Sequence, residues 1–498
     1  MGLKQYPKSM ITYKLENKED KSLYEYLYEC IRDDIRSGVL KSGEKLPSKR
    51  AFASNQGISV VTVENTYAQL QAEGYIYSLP KSGFYVSDIG IDGDKNIVKG
   101  PLKTFPDAEE TERVNESRDQ EEPTYNMVSN HTDPENFPFS NWAKIMRSVL
   151  TTEEKRLLKN PPTGGVYELR EAIAVHLKAF RGIDVSPEQI IVGAGSEYLY
   201  NLIVQLLGRD KVYGIENPGS RKIRNIYSSL GVNVKSVGLD GEGVETDGEN
   251  LNGVDILQIS PSHQFPLGTV TGIGRRMALI RWANEREGRY IIEDDYDSEF
   301  RLQGKPIGAL FSLDTTGRVI YFNTFTKSLS STIRVSYMVL PKELLLEFKE
   351  RLSFYSCTVS NFEQYTLAKF ISEGHFEKHI NRMRKHYREL RDVLISELML
   401  GPLKDRIEFS EENAGLHFLI RLDAKDMSDE ELKAMALREG ILVSFLSEYL
   451  STEGLREDEV TALRDKYKGY ALINYSGLNE GNIRDAACAL SLAWGFVL

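Results

Sequence analysis

The chain has 498 residues, with 62 lysines and arginines against 73 aspartates and glutamates, a formal net charge of −11, and 41% hydrophobic residues. That length asks for more than one domain, and the apolar content excludes a disordered tail or a low-complexity scaffold. Cys30, Cys357 and Cys488 are too few and too scattered for a disulfide framework or a metal site, and neither a signal-type N-terminus nor an ~18-residue apolar run is present, so the sequence reads as cytoplasmic, reduced and free of the membrane.

Residues 12–88 form the first zone. Leu23, Leu27, Ile31 and Ile35 recur every four residues, which predicts a helix over 23–37 ending near Gly38. Ser48 is positioned to cap a short helix that turns Ala51, Phe52 and Ala53 inward, with Gly57 in the turn that follows. Ser59 caps the next helix, whose inner face reads Val63, Tyr67 and Leu70 and whose outer face reads Thr62, Asn65, Thr66 and Gln69. The alternating segment around Pro80-Lys81-Ser82-Gly83 predicts a β-hairpin. Residues 41–87 carry a net charge of +2 inside an acidic protein, and Lys49, Arg50 and Lys81 fall where a helix start and a hairpin tip would meet phosphates.

Residues 89–123 hold few large apolar side chains and many acids, so they are expected to form an extended acidic linker. From 124 to 498, helical patterns alternate with short β-branched runs, the signature of an α/β domain with a mostly parallel sheet. Four of those runs, 212–217, 255–260, 289–295 and 318–327, end in polar residues, and such ends converge on a ligand in open α/β sheets.

Three groups at those ends suit one cofactor. Lys327 follows an apolar strand behind Thr324 and Thr326, and a desolvated lysine there can form a Schiff base, while the two hydroxyls and Arg334 suit a phosphate. Asp294 can keep a pyridinium nitrogen protonated, and Tyr296 can donate to a ring phenolate. Gly193 to Glu197 opens a helix whose Ser196 and Glu197 backbone N–H groups form a phosphate cradle.

The stretches LPSKR, GIS…TV, YAQLQAEGY and KSG resemble the winged helix-turn-helix of GntR-type bacterial regulators. The resemblance implies that Ser48, Lys49, Arg50, Ser59, Thr62, Asn65, Thr66, Tyr67 and Lys81 lie at double-stranded operator DNA. Val60 stands where many relatives carry arginine. Residues 124–498, with PPTGGVYELREAIAVHLKAFRGI, SPSHQFPLG and EDDYDSEFR, resemble the fold-type I aminotransferases. A winged helix, a linker and that large domain in one chain are similar to the MocR subfamily.

That likeness implies a multidomain protein: a small α+β winged helix joined to a large α/β pyridoxal 5'-phosphate-dependent domain. It implies an internal aldimine at Lys327, with Asp294 at the ring nitrogen and Tyr296 at the phenolate. Arg334, Thr324, Thr326, Ser196 and Glu197 would then meet the phosphate, and His263 and Gln264 would line the ring. It further implies a head-to-tail homodimer. Two departures stand out: Ser220 and Lys222 replace the tyrosine and arginine of the family's ENPGY-type turn, and Leu472 falls where an arginine grips a substrate carboxylate. Ser220, Arg221 and Lys222 are therefore the candidate effector residues. The expected function is a transcriptional regulator that senses an amino compound or the cofactor itself through the aldimine; the alternative is an active aminotransferase with a DNA-binding appendage. No metal is expected.

Overall fold

The computed structural model describes residues 12–18, 21–89, 123–128, 133–246, 249–302, 307–410, 415–423 and 427–495. The chain divides into two compact units, one ending at Gln120 and the other beginning at Glu121. The expected linker, from 90 to 122, lies outside the described residues.

In the first unit, α1 (Leu23–Arg36) buries Leu27, Ile31 and Ile35, the stripe seen in the sequence. Helix α2 (Lys49–Gln56) starts where the Ser48 hydroxyl accepts from the Ala51 N–H and stops at Gly57, whose φ of 67° favours glycine. Helix α3 (Val60–Ala72) is capped by Ser59, which accepts from the Thr62 N–H. The three helices close around Phe52, Val63, Tyr67 and Leu70, each worth ~1.5–3 kcal/mol on burial. Strands β1 (Ile76–Leu79) and β2 (Gly83–Val86) pair antiparallel with Leu79 opposite Gly83 and form the wing. Its tip residue, Lys81, has φ 61°, an uncommon conformation for a side chain with a Cβ.

The second unit is built on an eight-stranded mixed sheet. Its strands in chain order are β3 (Ile190–Gly193), β4 (Val212–Asn217), β5 (Asn233–Asp240), β6 (Gly243–Val244), β7 (Ile256–Ile259), β8 (Tyr290–Asp294), β9 (Val319–Thr324) and β10 (Ser336–Val339). Across the sheet the order is β3-β10-β9-β8-β7-β4-β5-β6. Strands β9, β8, β7, β4 and β5 are parallel to one another, while β10 runs antiparallel to both β9 and β3, and β6 antiparallel to β5. The four apolar runs picked out in the sequence are thus adjacent strands β9, β8, β7 and β4. Because they are parallel, Thr324, Asp294 and Asn217 end on one edge.

Helix α4 (Ser196–Leu207) packs Leu199, Tyr200 and Ile203 against Ile292, Ile320 and Phe322 of the sheet. Helix α5 (Arg221–Ser229) follows β4. Towards the C-terminus, helix α6 (His375–Leu400) and helix α7 (Ile483–Gly495) share a core with a four-stranded antiparallel sheet. Its strands are β11 (Ile407–Ser410), β12 (His417–Leu422), β13 (Ser444–Phe445) and β14 (Tyr470–Asn474), in the order β11-β12-β14-β13. Among the described residues no helix is long and apolar enough to cross a membrane.

Candidate functional site

The carboxyl edge of β9, β8, β7 and β4 opens into a cavity of about 320 Å³ whose lining includes Lys327, Asp294, Tyr296, Thr324, Thr326, Arg334 and Ser196. Side chains that the sequence separates by more than a hundred positions face one space.

At one end the chain turns through Gly193 and Gly195 into α4. Gly195 has φ 90°, and a Cβ there would lie 2.5 Å from an Arg334 guanidinium nitrogen, so this close approach requires glycine. Arg334 reaches over it to form an ion pair with Glu197, and Lys222 pairs with the other oxygen of the same carboxylate. Burial pushes the Glu197 carboxyl up, but Lys222 and Arg334 outweigh it and hold the group below its ordinary range. Nearby, Thr324 Oγ1 accepts from the Thr326 N–H at 3.1 Å and from Ser336 Oγ at 2.8 Å, and its own proton goes to Thr326 Oγ1. Two cations bridged by the Glu197 carboxylate, three hydroxyls and a helix start gather at this end.

At the other end Asp294, the last residue of β8, accepts from Tyr200 OH at 2.8 Å and from Gln258 Nε2 at 3.5 Å. Burial, with Asp295 and Asp297 adding to it, raises its pKa to about 6. Tyr200 stacks on Phe322 with ring centroids 5.4 Å apart, which fixes the donor. Burial likewise lifts Glu216, another lining residue, to about 8.

Lys327 sits on the short helical turn Phe325–Ser328 that follows β9. Burial lowers its pKa to about 8, against the opposing pull of Asp297 and Asp294. Its amine stands 5.9 Å from the centre of the Tyr296 ring. Behind the lining, Tyr296 OH lies 3.2 Å from His263 Nδ1, which pairs with Asp297 at 2.8 Å. His417 packs beside His263 with ring centroids 4.8 Å apart, and the Nε2 atoms of both histidines are buried without a hydrogen-bond partner among the described residues.

A cation- and hydroxyl-rich helix start, a buried carboxylate and a buried lysine amine lining one cavity fit a phosphorylated pyridine aldehyde. His263 and Gln264 do not line the cavity. Gln264 instead donates to the Pro218 carbonyl at 3.0 Å and accepts from the Leu267 N–H, bracing the turn after β4. Of the candidate effector residues, Ser220 and Lys222 line the cavity, while Arg221 is exposed outside it. Tyr200, Gln258, Ser336 and His417 carry no local pattern that marks their role, because tertiary packing brings them to the site.

On the winged helix, Arg50, Ser59, Asn65 and Lys81 are exposed, Thr62 is half-buried, and Lys49 pairs with Glu64 at 2.7 Å. Ser48 and Ser59 serve as helix caps. Two of the residues expected at the DNA are turned inward. Thr66 is fully buried and donates to the Tyr24 carbonyl at 3.2 Å, and Tyr67 is 1% exposed and donates to the Pro47 carbonyl at 3.0 Å. Both lie on the packed side of α3, whose buried positions are 63, 66, 67 and 70.

Residues 23–86 match the family described as bacterial regulatory proteins, gntR family, and residues 126–461 match aminotransferase class I and II. The protein named "Probable rhizopine catabolism regulatory protein MocR" of Rhizobium meliloti is 31% identical over 490 residues, covering 96% of both chains. The chain belongs to the MocR subfamily of GntR-type regulators. Another relative of this MocR-type protein is "Uncharacterized HTH-type transcriptional regulator YdeL" of Bacillus subtilis, 36% identical over 97% of this chain and 99% of its own length. Among solved structures, an archaeal alanine:glyoxylate aminotransferase matches the fold with a TM-score of 0.66 at 24% identity, covering 78% of this chain and 94% of that one. The MocR-type protein is thus a DNA-binding transcriptional regulator with an aminotransferase-like domain.

Proposed function

We propose that this cytoplasmic regulator binds pyridoxal 5'-phosphate at Lys327 and reports the state of that site to its winged helix. What carries the reading is that a lysine with a depressed pKa and a buried carboxylate open on one cavity beside an anion cradle. When bound, the cofactor supplies an aldehyde carbon that holds one primary amine at a time, that of Lys327 or that of a ligand. Asp294 keeps the pyridine nitrogen protonated, and the Tyr296 hydroxyl exchanges its contact with His263 Nδ1 for one to the phenolic oxygen. Arg334, Thr324, Thr326 and the backbone N–H groups of Ser196 and Glu197 take the phosphate. Arg50 of α2, Ser59, Thr62 and Asn65 at and along α3, and Lys81 of the wing are the exposed or half-exposed polar groups that meet operator DNA.

Release of Lys327 changes the packing of the strand-end turn that carries it, and the ligand shifts DNA affinity by its differential affinity for the two arrangements. A head-to-tail homodimer sets two winged helices over two half-sites. The apolar setting of Leu472, in place of a carboxylate-gripping arginine, supports sensing over turnover. The test is borohydride reduction of the purified protein followed by peptide mapping. A pyridoxyl tag on Lys327 is expected, and an untagged Lys327 overturns the reading.

A further inference from the structure

We infer that the small-molecule effector is a primary amine with an apolar body and no carboxylate; the inference rests on the cofactor reading above. Strand β14 carries Leu472 opposite Leu419 of β12 and Ser444 of β13. Leu472 is 2% exposed and clusters with Leu419, Leu446 and Tyr467, and Phe265 and Tyr449 pack onto that cluster. Phe265 is also part of the cavity lining, its ring edge-to-face with Tyr296 at 6.3 Å and with Tyr449 at 5.2 Å. This side of the cavity is backed by aliphatic and aromatic surface. A carboxylate pressed against it would lose its hydration and gain no donor.

The cations tell the same story. Among the described residues, those lining the cavity are Lys222, Arg334 and Lys327. Glu197 already binds the first two, and the third holds the cofactor. Arg224 is directed elsewhere, donating to Ser236 Oγ at 2.9 Å. Against these three cations and the pyridinium held by Asp294 stand the carboxylates of Glu197 and Asp294, with Glu216 kept protonated at neutral pH by burial, and a bound phosphate adds about two more negative charges. The loaded site therefore has no surplus positive charge to hold a carboxylate.

The experiment is an absorbance titration of the cofactor-loaded, full-length protein with matched pairs: phenethylamine against phenylalanine, and isoamylamine against leucine. In both pairs the amine is expected to reach half-maximal change at a concentration at least tenfold lower than its amino acid. An amino acid that equals or beats its amine in either pair overturns the inference. So does a normal spectrum that neither amine changes. If the starting protein shows no lysine-bound cofactor after borohydride mapping, the failure belongs to the cofactor reading and the inference falls with it.

Discussion

Arg334 crosses directly over Gly195 to reach Glu197, so a glycine without side chain and a carboxylate two residues later share one guanidinium. The Glu197 carboxylate therefore occupies, electrostatically, the place a phosphate would claim. Glu197→Gln is expected to tighten pyridoxal phosphate binding roughly two- to fivefold, the scale of one partly exposed ion pair. Gly195→Ala, which sets a methyl 2.5 Å from Arg334, is expected to weaken it at least tenfold. Equilibrium titration of the cofactor-free protein measures both, and weaker binding by the glutamine variant would refute the competition.

The depressed pKa of Lys327 predicts a pH profile. With a pKa of about 8, about a tenth of the amine is unprotonated at pH 7, against less than about a thousandth for an ordinary lysine. The rate at which cofactor-free protein captures pyridoxal phosphate is expected to rise through about pH 8 and level off above it. A rate still climbing steeply at pH 9.5 would show a lysine of ordinary basicity.

Asp294 links the site to stability. Its folded pKa of about 6 stands above its ordinary 3.8, so the folded chain holds that proton more tightly than the unfolded chain. The stability this confers is complete below about pH 4 and is lost as pH rises through 6. At neutral pH the cofactor-free protein thus carries a cost of about 2–3 kcal/mol. Asp294→Asn is expected to raise the melting temperature of the cofactor-free protein at pH 7.5, with the gain vanishing towards pH 4, and to weaken cofactor binding at least tenfold. Melts at the two pH values decide the first part and titration the second.

Arg50 and Tyr67 separate contact from scaffold. Arg50→Ala is expected to weaken binding to all DNA sequences and to lower the salt slope by about one, as removal of a phosphate contact does. Tyr67→Phe removes the hydroxyl that donates to Pro47 and is expected to cost ~0.5–1.5 kcal/mol of domain stability without changing that slope. Salt-dependent binding assays and thermal melts of the two variants distinguish the roles.

Where local pattern carries the information, the sequence was readable. The strand ends that present Asp294 and Lys327 announce themselves as apolar runs stopping at polar residues, and the caps Ser48 and Ser59 fall where helix geometry wants them. Thr66 is polar yet sits on the buried stripe of positions 63, 66, 67 and 70, because its hydroxyl is satisfied by backbone carbonyls rather than water. The side chain of Glu197 was hidden for a different reason. Its partners come from α5 and from the turn before β10, and no spacing in the chain encodes that meeting. Tyr200 and Gln258, which hold Asp294, are likewise brought in by tertiary packing alone.

Because the anion cradle draws on three stretches of chain that an unfolded polypeptide would scatter, anything bound there acts as a clasp on the whole second unit. Under the cofactor reading, saturation a hundredfold above the dissociation constant adds about 2.7 kcal/mol to the native state. Proteases that attack transiently opened molecules would then spare the loaded regulator and clear the empty one. Vitamin supply would govern how many copies of the repressor or activator persist, quite apart from how each copy responds to its amine.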